Sequence, residues 1–421
     1  MSYLFVNADV FDGTGTAPFP ADVLVRGNRI ERVTARGALA DVLAPAAEDV
    51  EVVDGRGAVL MPGLVDGHTH LGFGSSVEHT ATRRESDAEK ALLVAHCGRV
   101  LLDHGFTSCH SGGNRLPATD LAARAAFDQG WLPGPRLRTT SWEGSAGIVS
   151  PDAPQFPGTA ERASDPRSIV DFVHAMADLG VDSVKLTLTG ESAVVPGTSR
   201  ILQFTEQEVA AAAETARERD VWLIAHAHSA EAITLAVRYG VRTIYHASFA
   251  DAAAVDALVA ARDRVFVAPT PGIVWAHLND EDHPATEEME TRETYQSVCR
   301  VARELHRRGV RLLIGGDYGF PFNPIGRNAR DLRLFVEWFG MSPAEALRCA
   351  TEYGGQVMGM GHELGLVREG HLADLLLVEG DPTADVTLLE HPGNLAVILK
   401  DGRVHKLDHA RRGAAPTRVP A

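Results

Sequence analysis

The chain has 421 residues, enough for one large domain and a smaller companion, because single α/β-barrel domains of about 200 to 250 residues are routine. Hydrophobic residues make up 45% and charged residues 23%, as in soluble globular proteins, so neither a disordered nor a fibrous class is indicated. The formal net charge of −16 argues against nucleic-acid and anionic-membrane partners, since both bind through clustered Lys and Arg.

The composition also bears on location and partners. The stretch MSYLFVNADVFDGTGTAPF lacks the basic start and the apolar run of a signal peptide, and no stretch approaches the ~20 apolar residues of a membrane span. We therefore expect a cytoplasmic homo-oligomer whose partner is a small-molecule substrate, with no nucleic acid and no membrane. The four cysteines form no C-x-x-C pair and are expected to be free thiols: Cys97, Cys109, Cys299 and Cys349.

Both ends of the chain are predicted to be rich in short strands. Residues 1–60 contain extended pieces separated by G-N and D-G turns, and the last 60 residues contain similar pieces with a K-D-G-R turn. We predict that residues 1–60 and 363–421 together form a small β-sandwich domain. Residues 61–362 would form the catalytic domain.

Eight apolar runs alternate with amphipathic segments in the central part of the chain. The runs cover residues 63–70, 105–111, 136–141, 181–189, 221–229, 241–248, 264–270 and 310–317. Four of the intervening segments have apolar residues at spacings of three and four, which is typical of helices. Near-continuous apolar strands alternating with helices predict an α/β fold in which a (β/α)8 TIM-like barrel is buried on both faces.

Polar residues of metal-ligand type lie at the ends of these predicted strands. Because reactive groups gather at the carboxyl-terminal mouth of such a barrel, we expect them to converge. His68 and His70 are two residues apart and share a face of their strand, so both can bind one cation, and imidazole with carboxylate suits Zn²⁺ and related ions. The candidate metal ligands are His68, His70, Lys185, His226, His246 and Asp317.

Lys185 lies inside the apolar strand VDSVKLTLTG, where an unpaired ammonium is costly. It could extend its amine to solvent or pair with a carboxylate. Together with four histidines and an aspartate, it is better interpreted as a bridging ligand. That role requires CO₂ to carboxylate the amine, which yields an anionic oxygen ligand able to join two metal ions.

The sequence resembles the amidohydrolase superfamily, nearest to its imidazolonepropionase-like and Xaa-Pro dipeptidase-like branch. The matching stretches are MPGLVDGHTHL, VDSVKLTLTG, IAHAHSAEAITLAVRYGVRTIYHASF, IGGDYGF and a long tail that begins MSPAEALRCATEYGGQ. Together they cover nearly the whole chain.

The resemblance implies a role for each candidate residue. His68 and His70 would bind the buried metal, Lys185 would be the carboxylated bridge, and Asp317 would be both a ligand and a proton carrier. His226 and His246 would bind the second metal, and His228 would face the substrate. The implied cofactors are two divalent metal ions, Zn with Mn as the alternative, and carboxylated Lys185.

The sequence departs from this family at two strand ends. In close relatives the second strand ends in a run like T-T-V-R-D, whereas here Cys109 and His110 replace the expected pair of residues. The third strand ends in TTSWEGSAG, so Trp142 and Glu143 replace a histidine that often faces the substrate. His110 and Trp142 are therefore candidate substrate contacts.

The loop after the last predicted strand, YGFPFNPIGRNARDLR, adds a further candidate substrate contact. It brings Arg327 and Arg330 within plausible reach of the barrel mouth, where either arginine would bind a carboxylate or another polar group of the substrate. The alternative is that both arginines only lie on the surface of the helix that follows and do not contact a substrate.

The favoured function is hydrolysis of a C–N bond in a small polar amide, peptide, lactam or carbamate. A hydroxide held between two cations would attack the carbonyl, and Asp317 would be the catalytic acid and base. The alternative is a mononuclear deaminase or imidazolone-ring hydrolase, for which Glu231 is a possible acid, although Glu231 is better interpreted as a first-turn helix carboxylate. A barrel that binds a small molecule without catalysis is the third alternative.

Overall fold

The structure, a computed structural model, describes residues 2–38, 50–74, 86–144, 166–190, 197–279 and 292–413. The fold is mixed α/β. Among the described residues, strands of the amino-terminal part are β1 Ser2–Val6, β2 Asp9–Val10, β3 Phe19–Arg26, β4 Arg29–Ala35, β5 Val50–Asp54 and β6 Ala58–Pro62. The central strands are β7 Leu64–Thr69, β8 Phe106–Ser111, β9 Arg136–Arg138, β10 Thr140–Gly144, β11 Ser183–Thr187, β12 Trp222–Ser229, β13 Thr243–Phe249, β14 Phe266–Ala268 and β15 Arg311–Leu312. The carboxyl-terminal strands are β16 Leu375–Glu379, β17 Leu395–Lys400 and β18 Arg403–Leu407.

Helices alternate with the central strands and continue after them. In the described parts of the chain they are α1 Asp87–Asp103, α2 Pro117–Asp128, α3 Pro166–Leu179, α4 Glu206–Glu218, α5 Ala230–Arg238, α6 Ala252–Ala260, α7 Pro271–Asn279, α8 Arg292–Arg307, α9 Arg330–Phe339, α10 Pro343–Ala350 and α11 Glu352–Val357. Several begin at a capping box, as α4 does, where Thr205 and Glu208 each accept a backbone N–H of the other. None of these helices is both long and apolar enough to cross a membrane.

The strands from the two ends of the chain share one sheet. Its order is β18-β17-β16-β6-β2-β3-β1-β5, and β4 pairs with β3. The pairing of β16 with β6 is antiparallel and joins the last part of the chain to the first. Its apolar side chains form a core cluster of their own, which includes Phe5, Val23 and Leu377.

The central strands are parallel neighbours in chain order. One sheet has the order β7-β8-β9 and a second has the order β10-β11-β12-β13-β14-β15, and only Thr139 separates β9 from β10. The segment that follows β15 also pairs with β7 and its end. The backbone N–H of Gly67 donates to Ile314 O at 2.9 Å, that of His70 to Tyr318 O at 2.7 Å, and that of Asp317 to His68 O at 3.2 Å.

The central strands are buried along their length, which explains their apolar sequences. All residues of β7, β8 and β11 are buried, and the largest core cluster packs these strands against the surrounding helices. Burial of both faces removes the alternation of apolar and polar residues that a half-exposed strand has. Polar side chains in such strands are therefore costly unless they find partners, and they concentrate at the strand ends.

Backbone strain also concentrates at those ends. Four non-glycine residues there have positive φ angles: His246 at 70°, Ala247 at 53°, Thr270 at 50° and Asp317 at 61°. Such conformations cost about 1 to 3 kcal/mol each and cluster at functional sites. The strain lies where β13, β14 and β15 lead into the loops that carry the polar side chains.

Candidate metal centre

Two histidines of β7 and an aspartate after β15 form the first group of potential ligands. Asp317 Oδ1 lies 2.9 Å from His70 Nε2 and 3.5 Å from His68 Nε2. All three side chains are buried, and their ligand atoms lie within 4.8 Å of one another. The structure therefore brings together these three residues, which the sequence analysis names as candidate ligands.

Neighbouring groups fix the orientation of the first group. The backbone N–H of His68 donates to Asp66 Oδ1 at 2.8 Å, and the ring of His68 stacks on Tyr245 with centroids 3.8 Å apart. His70 Nδ1 lies 2.8 Å from Gly113 O. A carbonyl oxygen only accepts hydrogen bonds, so Nδ1 of His70 donates, which leaves the lone pair of a neutral ring on Nε2.

Three histidines of β12 and β13 form the second group. His226, His228 and His246 are buried, and their ligand atoms also lie within 4.8 Å of one another. The regular register between the two strands is interrupted between Ala227 and Ser229. This group therefore gathers where the regular parallel pairing ends.

Each histidine of the second group is held by a polar neighbour. His228 Nδ1 lies 3.0 Å from Ser248 Oγ, and His246 Nδ1 lies 2.8 Å from Thr270 Oγ1. His226 Nε2 donates to Gly190 O at 3.2 Å. Nε2 of His246 is buried without a hydrogen-bond partner among the described residues.

Lys185 lies between the two groups. Its Nζ donates to Gly112 O at 2.6 Å and to Glu143 Oε1 at 2.5 Å, and lies 3.5 Å from His68 Nε2. The ring centroids of His68 and His246 are 5.6 Å apart, so the two groups are adjacent. The Lys185 side chain thus has a carboxylate partner, which was one of the alternatives open from the sequence.

The charges of these groups suit metal ligands. Burial, and next the charge of Lys185, lower the pKa of His226 to about 4. Burial likewise holds the pKa values of His68, His228 and His246 well below the ordinary value. Burial acts to raise the pKa of Asp317, but the neighbouring His68 and His70 outweigh it and hold that pKa well below its usual range. At neutral pH the centre therefore offers neutral imidazoles at His68, His226, His228 and His246 and a carboxylate at Asp317.

These residues fit divalent metal ions. The lone pair of His70 Nε2 faces Asp317 Oδ1 at 2.9 Å, and two acceptors at that distance require a proton or a cation between them. The unpartnered Nε2 of His246 gives the second group a comparable ligand atom. Nitrogen and oxygen donors of this kind suit Zn²⁺ and Mn²⁺.

Two residues predicted to contact substrate lie elsewhere. His110 is fully buried, and its Nε2 lies 3.1 Å from Ser183 Oγ at the start of β11. Arg327 is exposed, and Gly326 beside it packs near Val100 and His104. Neither residue belongs to the two groups. Their contact with a substrate stays a prediction.

The remaining candidates have ordinary surroundings or border the centre. Arg330 is buried with its guanidinium 4.0 Å from the ring centroid of Trp275. Glu231 is exposed in the first turn of α5, as predicted, and Cys109 is a buried free thiol. Trp142 is buried in β10, next to Glu143. The sequence reasoning did not identify the supporting roles of Asp66, Gly112, Gly113, Tyr245 and Thr270.

The family profile of the amidohydrolases matches residues 59–405, which include both groups. The chain therefore belongs to the amidohydrolase family, and it is a hydrolase. This agrees with the family resemblance inferred from the sequence motifs.

The individual relatives have low sequence identity to this chain, but the matches extend over most of it. The chain is 23% identical over 373 residues to the ochratoxinase of Aspergillus niger, a match covering 83% of this chain and 76% of the relative. It is 26% identical over 410 residues to the imidazolonepropionase of Rubrobacter xylanophilus, covering 91% and 90%. Among solved structures, a Xaa-Pro dipeptidase with bound methionine superposes with a TM-score of 0.83 at 23% identity, covering 96% of this chain and 100% of the other. These likenesses support the fold.

Proposed function

We propose that the protein is a binuclear metal-dependent hydrolase that cleaves a C–N bond in a small polar substrate. The observation that carries the proposal is the pair of adjacent ligand groups, three residues each, with Lys185 between them. One group with no neighbour would suit a single ion. Two adjacent groups suit two ions joined by a bridge.

We propose one ligand set for each ion. His68, His70 and Asp317 would hold the first ion, and His226 and His246 would hold the second. His228 would join the second set, because its ligand atom lies with those of the other two histidines. Lys185, once carboxylated by CO₂, would supply an anionic ligand to both ions. When bound, the two ions, Zn with Mn as the alternative, would lower the pKa of a water molecule and polarise the substrate carbonyl.

The residues of the chain then move the proton. Asp317 is held ionised by His68 and His70, so it can accept a proton from the attacking water. It returns that proton to the nitrogen as the C–N bond breaks. The water oxygen forms the new bond to the carbonyl carbon, and the amine leaves neutral. We propose that Trp142, next to the centre on β10, contacts the substrate.

The proposed architecture explains why these residues meet. We propose that β7 to β15 close into a (β/α)8 barrel over residues 61–362, supported by the hydrogen bonds between the strand of His68 and the segment after β15. We further propose that residues 1–60 and 363–421 form a separate β-sandwich domain, supported by their shared sheet. The centre then lies at the carboxyl-terminal mouth of the barrel.

A mononuclear deaminase is the second candidate, but one observation disfavours it. Glu231, its possible acid, is exposed in the first turn of α5, whereas the centre is buried. The relatives' names include an imidazolonepropionase and an ochratoxinase, so the family offers both ring opening and other hydrolysis as precedents.

A substrate screen with controlled metal content tests the proposal. Chelated protein and protein reconstituted with Zn²⁺ or Mn²⁺ plus bicarbonate are compared on dipeptides, N-acyl amino acids, lactams and carbamates. We expect metal-dependent amide cleavage with release of an amine. Ammonia release from a protein holding one ion would support the deaminase instead, and metal-independent cleavage would contradict both.

A further inference from the structure

Glu143 is the one acidic side chain that the structure pairs with Lys185 among the described residues. It lies directly opposite Lys185 in the parallel pairing of β10 and β11, and its Oε1 is 2.5 Å from Nζ. The side chain of Lys185 is 2% exposed and that of Glu143 is 30% exposed. Glu143 thus extends from the partly open side of the centre to its buried middle.

The charges around Glu143 come from both ligand groups. Besides Lys185, its carboxylate interacts electrostatically with His70 of the first group and His226 of the second. It therefore lies beside the junction of the two groups rather than beside one of them. Gly113, at φ 121°, leaves room for it, since a Cβ on that glycine would lie 3.2 Å from Glu143 Cγ.

The ion pair cannot survive carboxylation of Lys185, and this step rests on the proposed function. Carboxylation forms a bond between Nζ of Lys185 and the carbon of CO₂ and releases two protons to solvent, so the charge next to Glu143 changes from positive to negative. Two anions in contact at a buried position repel strongly unless cations lie between them.

We infer that Glu143 is a further oxygen ligand of the metal centre. In the metal-free protein it holds the Lys185 ammonium. In the metal-loaded protein its carboxylate binds one of the two ions beside the carbamate, so that its negative charge stays neutralised. A carboxylate is suited to this because it accepts only and is a common ligand of Zn²⁺ and Mn²⁺.

The test compares Glu143→Gln with wild type and with Glu214→Gln, an exposed control on α4. Zinc per chain is measured after reconstitution with bicarbonate, and affinity is measured by competition with a chelator. We expect Glu143→Gln to bind at least one ion tenfold or more weakly, while the control matches wild type. In Co²⁺-loaded samples at equal occupancy, we expect the visible absorption bands to shift only in Glu143→Gln.

Circular dichroism of the metal-free proteins verifies that Glu143→Gln is folded. If Glu143→Gln is not folded, Glu143→Asp, which keeps a carboxylate, is tested in its place. Wild-type affinity together with an unchanged Co²⁺ spectrum in the variant overturns the inference and leaves the proposed function intact. Fewer than two ions in the wild type would instead overturn the proposed function. The two failures are therefore distinguishable.

Discussion

At the scale of single residues, the centre depends on which ring nitrogen or oxygen each side chain presents. His70 uses Nδ1 for Gly113 O and presents Nε2 to Asp317. His226 and His228 are two residues apart in β12, as His68 and His70 are in β7. The rule that such pairs share a face of their strand predicts that His228 lies beside His226. That spacing was the signal that could have placed His228 in the second group.

The contact of Glu143 with Lys185 could not be predicted in the same way. It depends on the register between β10 and β11, which the sequence of two neighbouring apolar strands does not determine. The pairing also shifts between Thr140 and Glu143, and this irregularity changes which residues face each other.

Asp317→Asn is predicted to keep most of the bound metal and to lose at least about a hundredfold in kcat. Asparagine preserves the size and one oxygen ligand but cannot accept the proton of the attacking water. Steady-state kinetics and metal analysis measure the two effects, with the exposed Asp220→Asn as the control. Wild-type turnover of Asp317→Asn at saturating metal would show that Asp317 only binds metal.

Lys185→Ala is predicted to lose about one ion per chain and at least about a hundredfold in activity, because loss of a metal-site group impairs both binding and catalysis. Alanine removes the amine that CO₂ would carboxylate. Metal content after reconstitution with bicarbonate is the measurement, and Lys406→Ala on β18 is the control. A Lys185→Ala protein with two ions and full activity would contradict the bridging role.

At the scale of elements, the eight apolar runs correspond to the central strands, with one exception. The third run, 136–141, is divided into β9 and β10. The backbone N–H and the hydroxyl of Thr139 both donate to Asp182 Oδ2, at 2.7 and 2.8 Å, so Thr139 leaves the strand pairing. A side chain distant in sequence therefore causes the division, and the local pattern could not reveal it.

The segment between β15 and Asp317 positions the first group through a buried carboxyl. Asp331 Oδ2 accepts the N–H of Gly315 at 2.9 Å, and Oδ1 accepts the hydroxyl of Tyr318 at 2.9 Å. A Cβ on Gly316 would lie 2.4 Å from Asp331 Oδ1, so only glycine fits there. Asp331 therefore holds the backbone of Gly315 before Asp317 and the side chain of Tyr318 after it.

Asp331→Asn is predicted to lower the free energy of unfolding by about 1 to 3 kcal/mol and metal affinity by about tenfold, because an amide nitrogen cannot accept one of these hydrogen bonds. Chemical denaturation and chelator competition measure these effects. Glu337→Gln, exposed on the same helix α9, serves as the control. Equal values for Asp331→Asn and the control would show that Asp331 does not position Asp317.

At the scale of the whole molecule, burying many histidines makes the metal-free protein sensitive to acid. The pKa values of His68, His110, His226, His228 and His246 are lowered in the folded state, chiefly by burial. Below the unfolded value of about 6.5 the unfolded chain binds more protons at these residues, so their contribution to stability falls as the pH falls. Burial raises the pKa values of Asp66 and Asp331 to about 7 and also raises that of Asp120, which acts in the opposite direction between about pH 4 and 7.

Five histidines outnumber three carboxyls, so the metal-free protein is predicted to be less stable at pH 5 than at pH 7. Thermal unfolding of chelated protein at the two pH values measures the difference. His110→Asn removes one histidine with a lowered pKa that belongs to neither ligand group, and it should reduce the dependence. A melting temperature that is equal or higher at pH 5 would contradict the prediction.

The number of metal ions per chain tests the central claim most directly. Protein reconstituted with bicarbonate and excess Zn²⁺ or Mn²⁺, then freed of unbound metal, is analysed for bound metal and protein concentration. Two adjacent ligand groups joined by Lys185 predict a ratio that approaches two. A ratio of one or less in folded protein would contradict the binuclear centre.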